Sequence, residues 1–459
     1  MSRSKTTGDR LFPGRPIERL LAPMQRFLRV EASSGIVLVA CTGLALVLAN
    51  SPLGDELDVL WHLPCQIGIG QWVLEKDLLH IVNDGLMAIF FFVVGLEIKR
   101  EIVAGELRNP RHAALPIVAA LGGMVIPAAL FVLLAWLLHL PATIHRGWAI
   151  PMATDIAFVV GVLALFGPRV PFSLKIMLLS LAIVDDLGAV LIIAFVFTDH
   201  ISWAALAVAA AGFGLTYCLN RVGVRNVPVY IVVGAGIWLA VLKSGVHPTV
   251  AGVMLGLLTP ASAWIGNATL TEVVEDLMSR LRGGRGEGGR SDAGGHSDHD
   301  ELHSALDRAR LAMRESVSPL NRLEHGLHPW VAFVIMPVFA LANAGVEINV
   351  SSATDPLAYA IAAGLLIGKP LGIVGFSYLA VKAGFAQLPT GTSWLMLIGG
   401  GCLAGIGFTM AIFLATLSLP ADEIDAGKIG ILGGSLLSAA AGVAILVYAT
   451  RGGGNAAKA

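Results

Sequence analysis

Apolar residues fill this chain in long blocks separated by short polar stretches. Twelve blocks stand out, near 35–50, 79–98, 114–137, 148–167, 172–197, 202–219, 227–242, 247–260, 327–345, 356–381, 395–418 and 429–449. A helix that crosses a bilayer needs about 20 such residues. The pattern therefore predicts an all-α membrane protein with about 12 transmembrane helices. The eighth block is short and is expected to be a tilted or partial span. The first has basic residues ahead of it and Ala49-Asn50-Ser51 behind, like a signal peptide. It reads instead as an uncleaved first helix, because eleven more blocks follow and the basic arm is long.

Two stretches fall outside the bilayer. Residues 51–78 hold Asp55, Glu56, Asp58, Glu75 and Asp77, and their run from Gln66 to Val73 alternates in the manner of a short hairpin. Residues 261–326 form a long loop whose glycine-rich middle, Gly283 to Arg290, has the composition of a flexible linker. The tract His296-Ser297-Asp298-His299-Asp300-Glu301-Leu302-His303 could bind a metal, but a solvated loop is the preferred reading. The organisation expected is an arm over 1–34, spans 1–8 over 35–260 with an external hairpin at 51–78, the loop 261–326, spans 9–12 over 327–449, and a tail over 450–459.

Charge gives the orientation. Of the 31 Lys and Arg residues, Lys76, Arg146, Lys243 and Lys428 fall on one side and Lys369 falls inside a span. The remaining 26 fall on the other side, which marks it as cytoplasmic and places both termini there. Composition agrees with a membrane protein: 56% of residues are hydrophobic and 14% charged, against roughly 45–50% and about 25% in soluble domains. A net charge of −1 gives no pull toward nucleic acid. The four cysteines are scattered with no CxxC pair, so neither a disulfide framework nor a zinc site is expected, and no cofactor is implied.

Charges inside the membrane are costly and are functional candidates by default. Asp185 and Asp186 lie in Leu179-Ser180-Leu181-Ala182-Ile183-Val184-Asp185-Asp186-Leu187-Gly188, near the middle of the fifth block. Two neighbouring carboxylates repel in a low dielectric, so one tends to hold a proton unless a cation is close. Such a site lets a proton and a metal cation compete. Asp155 follows Thr154 in Ile150-Pro151-Met152-Ala153-Thr154-Asp155, where Pro151 weakens the helix ladder. Asp155 either balances freed helix ends or supplies oxygen ligands, and both roles are compatible. Lys369, in Gly368-Lys369-Pro370, is the one intramembrane cation, and its expected counter-ion is one of the three aspartates. It could also carry a proton itself.

The eleventh span has no charge but is rich in glycine: Gly399-Gly400-Gly401-Cys402-Leu403-Ala404-Gly405-Ile406-Gly407-Phe408-Thr409. It is expected to be broken or tightly packed. Spans four and eleven are the middle members of triplets 3–5 and 10–12. Matching interruptions point to a transporter of inverted repeats with two broken crossing helices and a midplane site. Carboxylates, a hydroxyl and freed carbonyls suit a hard cation such as Na+ or Li+.

These residues resemble the NhaA family of bacterial Na+/H+ antiporters. The resemblance rests on Ala153-Thr154-Asp155-Ile156-Ala157-Phe158, Ala182-Ile183-Val184-Asp185-Asp186-Leu187-Gly188, Leu366-Ile367-Gly368-Lys369-Pro370-Leu371-Gly372 and Gly405-Ile406-Gly407-Phe408-Thr409-Met410. Gly95-Leu96-Glu97-Ile98-Lys99-Arg100-Glu101, Leu242-Lys243-Ser244-Gly245-Val246-His247 and Leu323-Glu324-His325-Gly326-Leu327-His328-Pro329-Trp330 extend it, over about 30–450 in all. This family is itself a known case of inverted repeats.

The resemblance implies an electrogenic exchanger of the bacterial inner membrane that expels Na+ or Li+ and admits more H+. It implies that Asp185 and Asp186 carry cation and proton, with Asp186 the more direct cation ligand and Lys369 paired with Asp185. It places Thr154 and Asp155 where the broken helices cross, and it implies a homodimer joined through the 51–78 hairpin. It also implies pH sensing at Glu97, Glu101, Glu324, His325 and His328, which from sequence alone read equally as solvated helix ends. His247 reads as a packing or capping residue, and Asn83 and Asp84 as helix-start polar residues in preference to an outer vestibule. The chain departs from the family pattern in its long 261–326 loop and in Met152, where a small residue is usual.

Two rival functions fit the sequence less well. An intramembrane aspartyl protease needs Tyr-Asp and Gly-x-Gly-Asp motifs, which are missing. A zinc or other divalent-cation transporter would explain the His-rich tract but would need His or Cys ligands inside the spans.

Overall fold

The computed structural model describes residues 31–69, 72–198, 200–224, 226–283, 295–347 and 354–456. The expected linker beyond Gly283 and most of the expected N-terminal arm lie outside them. The described chain is almost entirely helical, and its contacts divide into two units. Unit 1 comprises residues 1–79, 114–185 and 332–459, and unit 2 residues 80–113 and 186–331.

Unit 1 begins with α1 (Glu31–Ala49), followed after a 114° bend by the short α2 (Gly54–Trp61). α2 carries Asp55, Glu56 and Asp58 and has no buried residue, so it does not prolong the first span. The sequence reading did not anticipate it. The strands β1 (Pro64–Ile69) and β2 (Trp72–Asp77) then pair antiparallel from Pro64↔Asp77 to Ile69↔Trp72.

Unit 2 opens with most of α3 (Leu78–Val103), whose Ile81–Leu86 stretch winds as a π-helix. From residue 114, in α4 (Pro110–Leu137) with its Pro116 and Pro127, to Asp185 the chain belongs to unit 1. Span four is interrupted: a 3-10 helix over Ala142–Met152 ends in extended backbone, and α5 (Ile156–Phe166) starts afresh. Pro151 sits in the last turn before the break, where the sequence located it. α6 (Phe172–Val196) carries the paired aspartates.

In unit 2, α7 (Trp203–Val222) and α8 (Val227–Ser244) pack on one another around Ala209, Ile237 and Val241. The next helix, α9 (Thr249–Leu258), has ten residues. At 1.5 Å per residue it reaches about 15 Å, half of a hydrocarbon core of about 30 Å. The eighth block is therefore a partial span.

The 296–303 tract corrects the sequence reading. A solvated loop was expected, but α11 (Gly295–Glu315) runs through it and pairs with α10 (Asn267–Gly283). Ala305, Ala309 and Ala312 recur at helical spacing and are all buried, so one stripe of α11 packs and draws the polar turns before it into the same helix. Backbone bonds from Trp264 and Ile265 to the Glu315 carbonyl join the two ends of this hairpin.

Three further spans complete the chain: α12 (Pro319–Asn343), α13 (Pro356–Lys382) and, after a broken pair, α16 (Ile424–Ala456). The broken pair is α14 (Trp394–Ala404) and α15 (Phe408–Ser418), bent by 47°. Among the described residues nine helices are long and apolar enough to cross a bilayer, or eleven if each bent pair counts once. The sequence reading gave about 12. With each bent pair counted once, the one block that does not make a full span is the eighth, α9.

Candidate ion-binding site

The site in unit 1 starts from two helix breaks. Ala153 and Asp155 have extended backbone, so the helix ladder is interrupted between them and leaves groups such as the Asp155 N–H without a helical partner. They bond across to the other break instead. The Asp155 N–H donates to the Ile406 carbonyl at 2.7 Å, and the Thr154 hydroxyl lies 2.9 Å from the Ala404 carbonyl. Spans four and eleven therefore cross at their interruptions.

The Asp155 carboxylate serves both helices that restart there. One oxygen accepts the Phe158 N–H of α5 at 3.2 Å, and the other accepts the Thr409 N–H of α15 at 3.1 Å. The Thr409 hydroxyl donates to that second oxygen as well. Asp155 thus caps two helix N-termini, which matches the helix-balancing role the sequence allowed.

Lys369 arrives on α13. Gly122 and Gly372 let α4 and α13 touch backbone to backbone: a Cβ on either would strike the other's carbonyl. The Gly364–Gly368 segment of α13 is a π-helix, so the Lys369 N–H bonds the Gly364 carbonyl five residues back. Its ammonium is completely buried. It lies 2.5 Å from Asp185 Oδ2 and also donates to the Met152 carbonyl.

Asp185 is the meeting point. Its Oδ2 takes Lys369 and, at 2.6 Å, the Thr154 hydroxyl. Thr154 has a single proton, so it bonds either Asp185 or Ala404 at one time. Asp185 Oδ1 is buried and has no hydrogen-bond partner among the described residues. The expected Lys369–Asp185 pair is therefore formed, and Thr154 and Asp155 sit at the crossing. Asp186 is equally buried at the next position of α6 and points about 100° away around the helix axis. The donor set is carboxylate, hydroxyl and carbonyl oxygen, the chemistry of a hard cation.

The sequence reading did not single out the carbonyls of Met152, Ala404 and Ile406. Backbone oxygens carry no sequence signal beyond Pro151 and the glycine run that free them. Thr409 was visible only as the lone hydroxyl among glycines.

In unit 2, Arg100 forms an ion pair with Glu324 and lies 3.7 Å from Glu101. Glu101 also accepts the Glu106 N–H at 3.1 Å, and Glu97 is within electrostatic reach of all three. Glu324 is buried, so it is not a solvated helix end. His325 and His328 are exposed, and the His325 ring engages the Asn321 carbonyl of its own helix at 2.7 Å. The five proposed sensors thus separate into three clustered glutamates and two surface histidines. His247 lies 2.8 Å from the Thr249 hydroxyl and 3.7 Å from Asp84, whose carbonyl accepts Trp238 Nε1. That is the packing role expected of it.

Residues 25–446 match the family described as Na+/H+ antiporter 1. The chain is 47% identical over 446 residues to the Na+/H+ antiporter NhaA of Rhodopirellula baltica, covering 95% of this chain and 96% of that protein. It is 45% identical to the Na+/H+ antiporter NhaA of Rhizobium meliloti, with 95% and 97% covered. Its identity to Na+/H+ antiporter NhaA 2 of Vibrio vulnificus is 43%, with 94% of each covered.

Proposed function

The chain belongs to the Na+/H+ antiporter 1 family, a family of membrane transporters, and from that premise we propose that it expels Na+ or Li+ in electrogenic exchange for H+, with Asp185 and Asp186 carrying the ions. The observation that carries this reading is the Asp185 carboxylate, held on one oxygen by Lys369 and Thr154 while the other is buried without a hydrogen-bond partner among the described residues. A carboxylate in that setting needs a cation. A proton, the Lys369 ammonium and Na+ each meet the need, and they exclude one another.

Exchange follows from that exclusion. Na+ binding at these carboxylates displaces the Asp186 proton and the Lys369 ammonium from Asp185, and a buried lysine freed of its counter-ion can release a second proton. Two protons exchanged for one Na+ leave a net charge moved per cycle. Asp186 is the more direct Na+ ligand, since Lys369 and Thr154 already occupy one Asp185 oxygen. Thr154, the Ala404 carbonyl and the Met152 carbonyl can complete the shell with oxygen. The absence of nitrogen or sulfur donors from this set weighs against a zinc cargo.

The remaining assignments rest on sequence and family. Lys and Arg asymmetry supports cytoplasmic termini in the bacterial inner membrane, with the arm 1–34, loop 261–326 and tail 450–459 on that side and the 51–78 region outside. The Glu97, Glu101, Glu324 cluster around Arg100 supports regulation by pH, with the exposed His325 and His328 as further candidate sensors. The β1–β2 hairpin is the candidate homodimer contact.

Proteoliposomes carrying an internal pH dye and an imposed ΔpH test the reading. Added NaCl should collapse the gradient for the wild type and not for Asp186→Asn. A wild type silent from pH 6 to 9 would overturn Na+/H+ exchange. An Asp186→Asn variant as fast as wild type would overturn the site.

A further inference from the structure

The break in span eleven is gripped from a second side. Ser435 and Ser438 lie three residues apart on one face of α16, and both are buried. The Ser438 hydroxyl donates to the Cys402 carbonyl at 2.8 Å, near the end of α14. Ser435 Oγ accepts the Phe408 N–H at 3.3 Å, in the first turn of α15. One helix thus satisfies a carbonyl on the side where α14 stops and an N–H on the side where α15 starts.

Ser438 also reaches the Lys369 helix. A π-helix pairs each N–H with the carbonyl five residues back. Residue 370 is proline and has no N–H, so the Leu365 carbonyl loses the donor that this winding would give it. Ser438 Oγ lies 3.4 Å from that carbonyl. With one proton it serves Cys402 or Leu365, not both, and the shorter bond is to Cys402. Gly405 packs into the same corner, where a Cβ would strike both Ser438 Oγ and the Leu365 carbonyl.

We propose that Ser438, supported by Ser435, is a positioning residue for cation binding: it fixes the Ala404–Thr409 break against the Lys369 π-turn so that Ala404, Ile406 and Thr409 meet Thr154 and Asp155. The inference rests on the exchange reading above and deepens it. Neither serine touches Asp185, Thr154 or Asp155 in the bonds described. Both act through backbone. The Ala404 carbonyl that faces Thr154 lies two residues from the carbonyl Ser438 holds, and the Thr409 N–H that caps on Asp155 lies one residue from the N–H Ser435 holds.

The test is radioactive Na+ binding to the full-length purified protein in detergent, read together with its melting temperature. Ser438→Ala should raise the half-saturating Na+ concentration roughly three- to tenfold, the size of one lost hydrogen bond. Ser435→Ala should raise it less. Ser438→Cys, which keeps the volume with a weaker donor, should fall between wild type and Ser438→Ala. Half-saturation unchanged in Ser438→Ala, with or without a lower melting temperature, would overturn the proposal and leave a packing serine. If Ser438→Ala does not fold, unchanged half-saturation in Ser438→Cys overturns it equally. Asp185→Asn in the same assay separates the two failures. If it abolishes binding while the serine variants leave binding unchanged, this inference alone fails. If Asp185→Asn binds as wild type, the exchange reading fails and takes this inference with it.

Discussion

One oxygen of Asp155 accepts both the backbone N–H and the hydroxyl of Thr409, while its other oxygen accepts the Phe158 N–H. A single buried carboxylate therefore holds the N-termini of two helices that restart inside the bilayer. Each N-terminus carries a partial positive charge, which hydrocarbon cannot answer.

That double cap predicts a graded loss. Asp155→Ala removes both acceptors and should cost about 2–3 kcal/mol, at roughly 1 kcal/mol or more per cap. Asp155→Asn keeps one acceptor oxygen and turns an amide toward the other N–H, so it should cost less in stability. Melting of the purified variants by intrinsic fluorescence would show the order wild type, Asn, Ala. An Asn variant as unstable as Ala would mean that charge, not capping, sets the cost.

The Lys369–Asp185 pair predicts a rescue. Removing one partner leaves a buried charge alone, which typically costs 3–5 kcal/mol. Lys369→Met and Asp185→Asn should each lower the melting temperature by several degrees. The double variant should recover most of that loss, because no unpaired charge remains. It should not recover transport, since the carboxylate is gone. A double variant no more stable than the worse single would show that the pair contributes nothing as a pair.

Competition predicts the pH dependence of affinity. Protons bound to Asp185 or Asp186 must leave before Na+ binds, so low pH should weaken Na+ binding and high pH should strengthen it. By mass action, log KM for Na+ should fall by about one per pH unit for each proton displaced. Initial rates in proteoliposomes at several Na+ concentrations and pH values would give the slope. A KM independent of pH would mean that proton and Na+ bind different groups.

The α10–α11 hairpin predicts tolerance. The chain leaves and returns at nearly one point, since the Glu315 carbonyl accepts from Trp264 and Ile265, and the Leu320 N–H donates to the Pro260 carbonyl. Replacing residues 267–314 with a short Gly-Ser link therefore closes a small gap. Exchange at its optimal pH should stay within about twofold of wild type, since loop changes of this kind affect stability only weakly. The same assay run across pH would show whether the hairpin tunes the switch near Glu324. Loss of all exchange would place the hairpin within the transport machinery.

Much of this was legible because the bilayer limits what a sequence can do. A hydrocarbon interior forces helices, so long apolar blocks located α3, α4, α6, α7, α8 and α13 within a few residues. It also makes charge rare, so Asp155, Asp185, Asp186 and Lys369 stood out against their apolar neighbours. Pro151 and the 399–407 glycines marked both breaks, because residues that weaken a helix are visible as letters. Where the solvent is water the reading was weaker. Polar letters before Ala305 suggested a loop, and packing against α10 made a helix.

The sequence by itself determined an all-helical membrane protein, its two interrupted spans and the ionisable residues inside it, since each follows from the cost of placing a group in hydrocarbon. Only the tertiary structure decided which of those groups meet. Lys369 pairs with Asp185, while both oxygens of Asp155 are taken by the restarting helices α5 and α15. The carbonyls of Met152, Ala404 and Ile406, and the serines that hold the break, gain their roles from geometry alone. A backbone oxygen is the same in every residue, and only its position makes it a ligand or a brace.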